Sequence, residues 1–139
     1  MDIEGIPLES LRTLSRDEQN ALLNFGTPVT FTMGTAIVLA EFNRSGNELI
    51  VNLAHIDGGG EGVLLSLWKA VETYATDRAY YGVQWNVHAL TCAKPNPRLQ
   101  RFLRRQGFGE LDHQLYGRIF ACRRNLIEET SLQPDRSDD

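Results

Sequence analysis

The chain has 139 residues, 42% of them hydrophobic and 23% charged, with a formal net charge of -4 at pH 7. That length suits one domain with its own core, and the composition is ordinary for a globular protein in water. No apolar run approaches bilayer-spanning length, and Met1-Asp2-Ile3-Glu4 lacks the basic-then-apolar order of a secretory signal, so a cytoplasmic protein without a membrane span is expected.

The charge is uneven. From Lys94 to Arg124 eight basic residues stand against Glu110 and Asp112, a local balance of +6, so the remainder carries -10. A basic segment on an acidic protein suits a polyanionic small ligand, and it equally suits a solvated helix face. Nucleic acid is the weaker partner, because no aromatics interleave the arginines. Cys92 and Cys122 make no metal-like spacing with each other or with His55, His88 and His113, so no metal is expected and the cysteines read as buried thiols.

In chain order, Leu11, Leu14, Leu22, Leu23 and Phe25 alternate with charged residues and fit one or two short helices between Ser10 and Phe25. Ser15 with Glu18 three places on reads as a capping box, and Gly26-Thr27-Pro28 as a stop. Three β-rich runs follow, Val29 to Met33, Ala36 to Phe42 and Glu48 to Ile56, with Arg44-Ser45-Gly46-Asn47 turning the last two into an antiparallel hairpin. Leu64, Leu67, Trp68, Val71, Tyr74 and Ala75 then recur at helical spacing from Val63 to about Ala75.

Between the third run and this helix lies Ile56-Asp57-Gly58-Gly59-Gly60-Glu61-Gly62-Val63. Glycines at a strand-to-helix joint let the backbone approach a ligand closely, and the first-turn amides point outward from the positive end of the helix dipole. The expectation is an anion cradle, most plausibly for a diphosphate. It is not a Walker loop, since no Lys-Ser or Lys-Thr follows Gly62, nor a dinucleotide fingerprint, whose third glycine would fall at Val63.

Val83, Trp85, Val87 and Ala89 alternate with Gln84, Asn86 and His88 in a strand from Tyr81 to Cys92, so strand, helix and strand form a right-handed parallel unit with its ligand site beyond the strands' carboxyl ends. Asn96-Pro97 starts a further helix, with Leu99, Phe102 and Leu103 inward and Arg98, Arg101 and Arg105 outward, and Gly107 ends it. Leu111 to Arg123 supplies a last strand or hairpin at the far edge. Residues 1–125 make the single domain, and residues 126–139, polar and acidic, a frayed tail.

This order of parts resembles the GNAT acyltransferase superfamily, over roughly Ala36 to Phe120. That family's loop pattern Gln/Arg-x-x-Gly-x-Gly/Ala is met by Gly60 and Gly62, with Asp57 at the Gln/Arg position. Its second signature, Asn, then Tyr seven residues on, then Gly-Phe four further, is met by Asn96 and Gly107-Phe108, with Leu103 at the Tyr position.

The resemblance implies an α/β fold, a central mixed sheet of six or seven strands flanked by helices, and transfer of an acetyl group from acetyl-coenzyme A directly to an amine. It further implies that Ile56, Gly58, Gly59, Gly60, Glu61, Gly62 and Val63 receive the pyrophosphate, while the pantetheine lies between the strands of Val51 and Val87, which splay apart. Asn96 would contact the cofactor arm, although its cap role explains it as well, and Arg98 or Arg101 would meet the adenosine phosphate unless each is simply solvated.

Glu48 and His55 are the candidate bases, Glu48 doubling as a surface residue beside the turn and His55 having the pKa for work near neutral pH. Asn52 and His88 would line an acceptor pocket. Leu103 cannot protonate a leaving thiolate, which leaves Tyr116 or Cys92 as substitutes, and Asp57 repels a diphosphate. These departures favour the rival expectation, a catalytically weak or inactive coenzyme-binding or interaction module, with the terminal strands as a route to a homodimer. The acceptor, a small-molecule or peptide amine, is not identified by any residue.

Overall fold

A computed structural model describes residues 1–57, 61–88, 97–115 and 117–126, without the side chains of His55, Asp57 and Glu61. The tail expected beyond Leu126 lies outside the described residues. The elements are β1 (Asp2–Ile3), β2 (Ile6–Pro7), a 3-10 helix (Leu8–Thr13), α1 (Arg16–Leu23), β3 (Pro28–Met33), β4 (Ala36–Ser45), β5 (Glu48–Asp57), α2 (Glu61–Asp77), β6 (Gly82–Val87), α3 (Pro97–Arg105), β7 (Gly109–His113) and β8 (Gly117–Asn125).

The strands form one mixed sheet in the order β2-β1-β3-β4-β5-β6-β8-β7. Eight strands replace the six or seven expected, because the pairs Asp2↔Pro7 and Ile3↔Ile6 add two short strands beside β3. Among the described residues only β5 and β6 run parallel, joined through α2 as a strand-helix-strand unit requires. The expected edge hairpin also differs in detail: β8 inserts beside β6, from Gly82↔Asn125 to Val87↔Phe120, and β7 becomes the edge.

Local chemistry sets the joints. The Ser15 hydroxyl accepts from the Glu18 N–H at 3.1 Å and Glu18 accepts from the Ser15 N–H at 2.8 Å, so α1 starts on a complete capping box. It stops earlier than Gly26, at Asn24, which takes the left-handed conformation with φ 44°. Gly46 has φ 59°, as the first central residue of a two-residue hairpin loop of type II′ requires, and Ser45 pairs with Glu48 across it.

Strand registers divide the sheet into two unlike faces. Val38, Ala40 and Phe42 of β4, Leu49, Val51 and Leu53 of β5, and Val83, Trp85 and Val87 of β6 share one face and are buried. All the described helices pack there: Trp68 of α2 meets Trp85 edge-on at 6.1 Å between centroids and stacks on Phe102 of α3 and on Phe108, at 5.7 and 5.4 Å. Leu8, Leu11 and Leu23 close the same core over Phe31 and Phe42. The opposite face carries Glu41, Asn43, Asn52, Gln84 and Asn86.

Candidate functional site

The site expected from sequence lies where β5 and β6 end. Their parallel pairing runs from Glu48↔Gly82 to Leu53↔Val87, and one further bond, His88 N–H to Leu53 C=O at 3.0 Å, closes it. Beyond that rung β5 continues to Asp57 in pairing with β4. A bulge lies in that stretch: Ala40 pairs with Leu53 but Leu39 with His55, so Ala54 is the extra residue and the strand bends and twists there. Among the described residues the parallel pairing ends at His88, at the end of the strands where α2 begins.

Gly58, Gly59, Gly60 and Asn96 lie outside the described residues, as do Cys92 and Tyr116, the proposed substitute acids. Of the loop's described parts, Ile56 is half-buried against the core and Val63 is buried in it, so their side chains are packing residues. Gly62 is exposed in the first turn of α2, and a Cβ built on it would meet no atom within 4 Å. A glycine there puts no side chain between the helix start and a ligand. Arg98 is exposed on the first turn of α3. Leu103, at the family's Tyr position, is fully buried, its carbonyl accepting from the Phe108 N–H at 3.0 Å, so it belongs to the core.

Glu48 is not brought to this place. It opens β5, whereas the loop follows Asp57, and nine residues of strand separate the two by about 30 Å. Its carboxylate takes the Arg123 Nε–H at 2.8 Å, with a second contact from the same guanidinium, and Arg123 reaches it by lying across Gly82, where any Cβ would collide with its side chain. That hydrogen bond holds Glu48 below the usual carboxylate range, the opposite of what a base at neutral pH needs. Glu48 therefore stands as a surface ion-pair partner of Arg123, at the end of β5 away from the loop. His55 keeps its expected place near the end of β5, pairing through its backbone with Leu39.

The structure also assembles a feature that alternation alone did not reveal. Asn52 and Asn86 pair in register across β5 and β6, both more than nine-tenths buried, with Asn86 Nδ2 donating to Asn52 Oδ1 at 2.9 Å and Gln84 Nε2 donating to Asn86 Oδ1 at 3.1 Å. Each residue was visible as a polar position in a strand, but their pairing depends on a register fixed far away in sequence. His88 follows at the last described rung between the two strands, half-buried. Burial, and then the nearby His113, push its pKa below the ordinary histidine value, so the imidazole is neutral at pH 7. Cys122, the described thiol, is pushed up by burial and is not activated.

Among the described residues no group of histidines, cysteines and carboxylates could hold a metal ion, and no helix is long and apolar enough to cross a membrane. A groove of about 650 Å³ runs between α2 and the end of β8, with Trp68, Glu72 and Arg124 among its lining residues.

No protein-family model matches the chain, and no curated protein matches it in sequence. Two solved structures are similar in fold. One is the PaiA N-acetyltransferase from Thermoplasma acidophilum in complex with coenzyme A, 13% identical, covering 89% of this chain and 98% of its own, with a TM-score of 0.47. The other is Ard1 from Thermoplasma volcanium, 13% identical, covering 90% of this chain and 97% of its own, with a TM-score of 0.44.

Proposed function

We propose that this protein is a GNAT-type N-acetyltransferase that takes acetyl-coenzyme A and acetylates an amine. The observation that carries the reading is the parallel unit itself, β5 and β6 paired to Leu53 and Val87 with α2 starting at their carboxyl ends and Gly62 exposed in its first turn. We infer that the two strands part beyond these rungs, at a vertex marked by His88. Parallel strands that separate at their carboxyl ends leave unpaired backbone groups facing each other, and an extended amide-containing arm can take up those bonds. The outward amides of α2 would hold the diphosphate at the mouth of that gap.

Acetyl-coenzyme A, when bound, supplies the activated acetyl group as a thioester. The chain's own contribution would be orientation and a proton acceptor. His88 is the base we assign: it stands at the vertex and is held neutral, so it can take the proton the acceptor amine must lose. His55, on the other strand of the gap, is the second candidate. With Leu103 in the core, no phenol stands ready at the family's acid position, and the leaving thiolate would draw its proton from water or from another residue. The buried Asn52–Asn86 pair would hold the two strands in register up to the vertex.

Steady-state assays of thiol release with a panel of polyamines, amino acids and peptide amino termini test the reading. Turnover with at least one amine is expected. His88→Gln should lower kcat about 10²–10⁴-fold and abolish the acid limb of the pH-rate profile while leaving coenzyme affinity unchanged. Binding without turnover by any amine would favour instead a coenzyme-binding module, the reading that Leu103 supports.

A further inference from the structure

Glu41 lies on the face of the sheet opposite the described helices, in a row set by register. Glu41 of β4 pairs with Asn52 of β5, Asn52 pairs with Asn86 of β6, and Pro28 of β3 flanks Glu41 on its other side. His88 is two residues on from Asn86, so strand alternation puts it on the same face. Glu41 and the base assigned above therefore share one surface.

The Glu41 carboxylate is half-buried and joins no ion pair among the described residues. Its hydrogen bond is to a neutral group, Oε2 accepting from Asn43 Nδ2 at 2.9 Å. Neither Pro28 nor Asn52, its neighbours across the strands, carries a positive charge, and the Asn52 carbonyl is turned to Asn86 Nδ2 at 2.9 Å. Glu48, lower on the same face, is by contrast taken by Arg123. A carboxylate partly withdrawn from water is unfavourable without a cation beside it, so such groups are ordinarily paired.

The spacing says what kind of cation would fit. Neighbouring strands lie about 4.8 Å apart and successive residues about 3.3 Å, so two strand spacings and two residues separate Glu41 from His88 by about 12 Å. A hydrogen bond of about 3 Å at each end leaves about 6 Å between two nitrogens, the span of a chain of about four carbons. We propose, given the acetyltransferase reading above, that the acceptor is a short alkyl diamine whose distal ammonium is held by Glu41 while His88 takes the proton from the nitrogen that reacts. That nitrogen, as the free amine, forms a bond to the acetyl carbon as the carbon–sulfur bond breaks; its surplus proton passes to His88, and the thiolate takes a proton from water. A monoamine leaves the carboxylate uncompensated, and an amino acid brings a second negative charge towards it.

Initial rates at saturating acetyl-coenzyme A with 1,4-diaminobutane, butylamine and 4-aminobutanoate test the assignment in the wild type, Glu41→Gln and Glu41→Asp. In the wild type kcat/KM should fall in that order, the diamine leading butylamine by about 10–100-fold, the factor a charge-assisted bond supplies. Glu41→Gln keeps an acceptor for Asn43, and in it the preference for the diamine over butylamine should vanish, with the loss appearing in KM. Glu41→Asp, one carbon shorter, should shift the preference towards 1,5-diaminopentane, which a merely structural carboxylate would not do. Equal kcat/KM for the diamine and butylamine in the wild type, or a preference that survives Glu41→Gln, would overturn the assignment while leaving acetylation in place. No turnover of any amine would instead overturn the acetyltransferase reading, and the diamine with it.

Discussion

The two faces of the sheet solve the same problem in opposite ways. On the helical face, Val51, Trp85 and their neighbours are hidden by side chains of α2 and α3, and the contacts are aromatic and apolar. On the other face, one residue along the same strands, Asn52 and Asn86 are just as hidden but are satisfied by each other. The first face is held by contact area, which tolerates small shifts. The second depends on hydrogen-bond geometry, and a lost partner leaves a buried amide stranded. The polar face ends at the vertex where the proposed chemistry sits, which suits a part of the molecule whose geometry must be kept rather than merely filled.

The largest effect should come from the helical face. Trp68→Ala removes the ring that Phe102 and Phe108 stack upon and that touches Trp85, and should destabilise by about 3–5 kcal/mol in denaturant titration. A loss under about 1 kcal/mol would mean that α2 and α3 do not share one core. Next, Asn86→Leu should lower stability by about 1–3 kcal/mol by stranding Asn52, whereas Asn52→Leu/Asn86→Leu should recover part of the loss. Strictly additive effects would show that the amide pair is not coupled.

A smaller effect is set by pH. His88 has a lowered folded pKa, so the unfolded chain binds its proton more readily; the contribution is fully present above the ordinary histidine value and lost as pH falls through the folded one. His88→Gln should flatten that slope below the ordinary histidine value, seen by comparing unfolding midpoints across pH. Smallest is Glu48→Gln at the exposed Arg123 pair, worth below about 1 kcal/mol. Its lowered carboxylate pKa places the contribution above the usual carboxylate value, to be lost as pH falls through the folded one, so the variant and wild type should converge in acid.

What could be read from the sequence was local. The Ser15 capping box, the Gly46 turn, the α2 stripe from Leu64 to Ala75, the Pro97 start and the Gly107 stop each follow from neighbouring residues, and each stands as expected. The features that escaped are pairings between distant segments. The bulge at Ala54, the insertion of β8 beside β6 and the meeting of Asn52 with Asn86 arise from registers that no short window contains. The pairing of Glu48 is of the same kind: its strand was legible, but its partner Arg123 lies 75 residues away.

The central claim is that the start of α2 holds the coenzyme's diphosphate through its backbone. Isothermal calorimetry of coenzyme A against the wild type and Gly62→Val tests it most directly, because Gly62 is exposed in the first turn of α2 and a Cβ there has open space around it. Saturable binding by the wild type, lost in a variant whose circular dichroism and Tm are preserved, is the predicted result. Equal affinity in the two proteins, or no binding by the wild type, would contradict it.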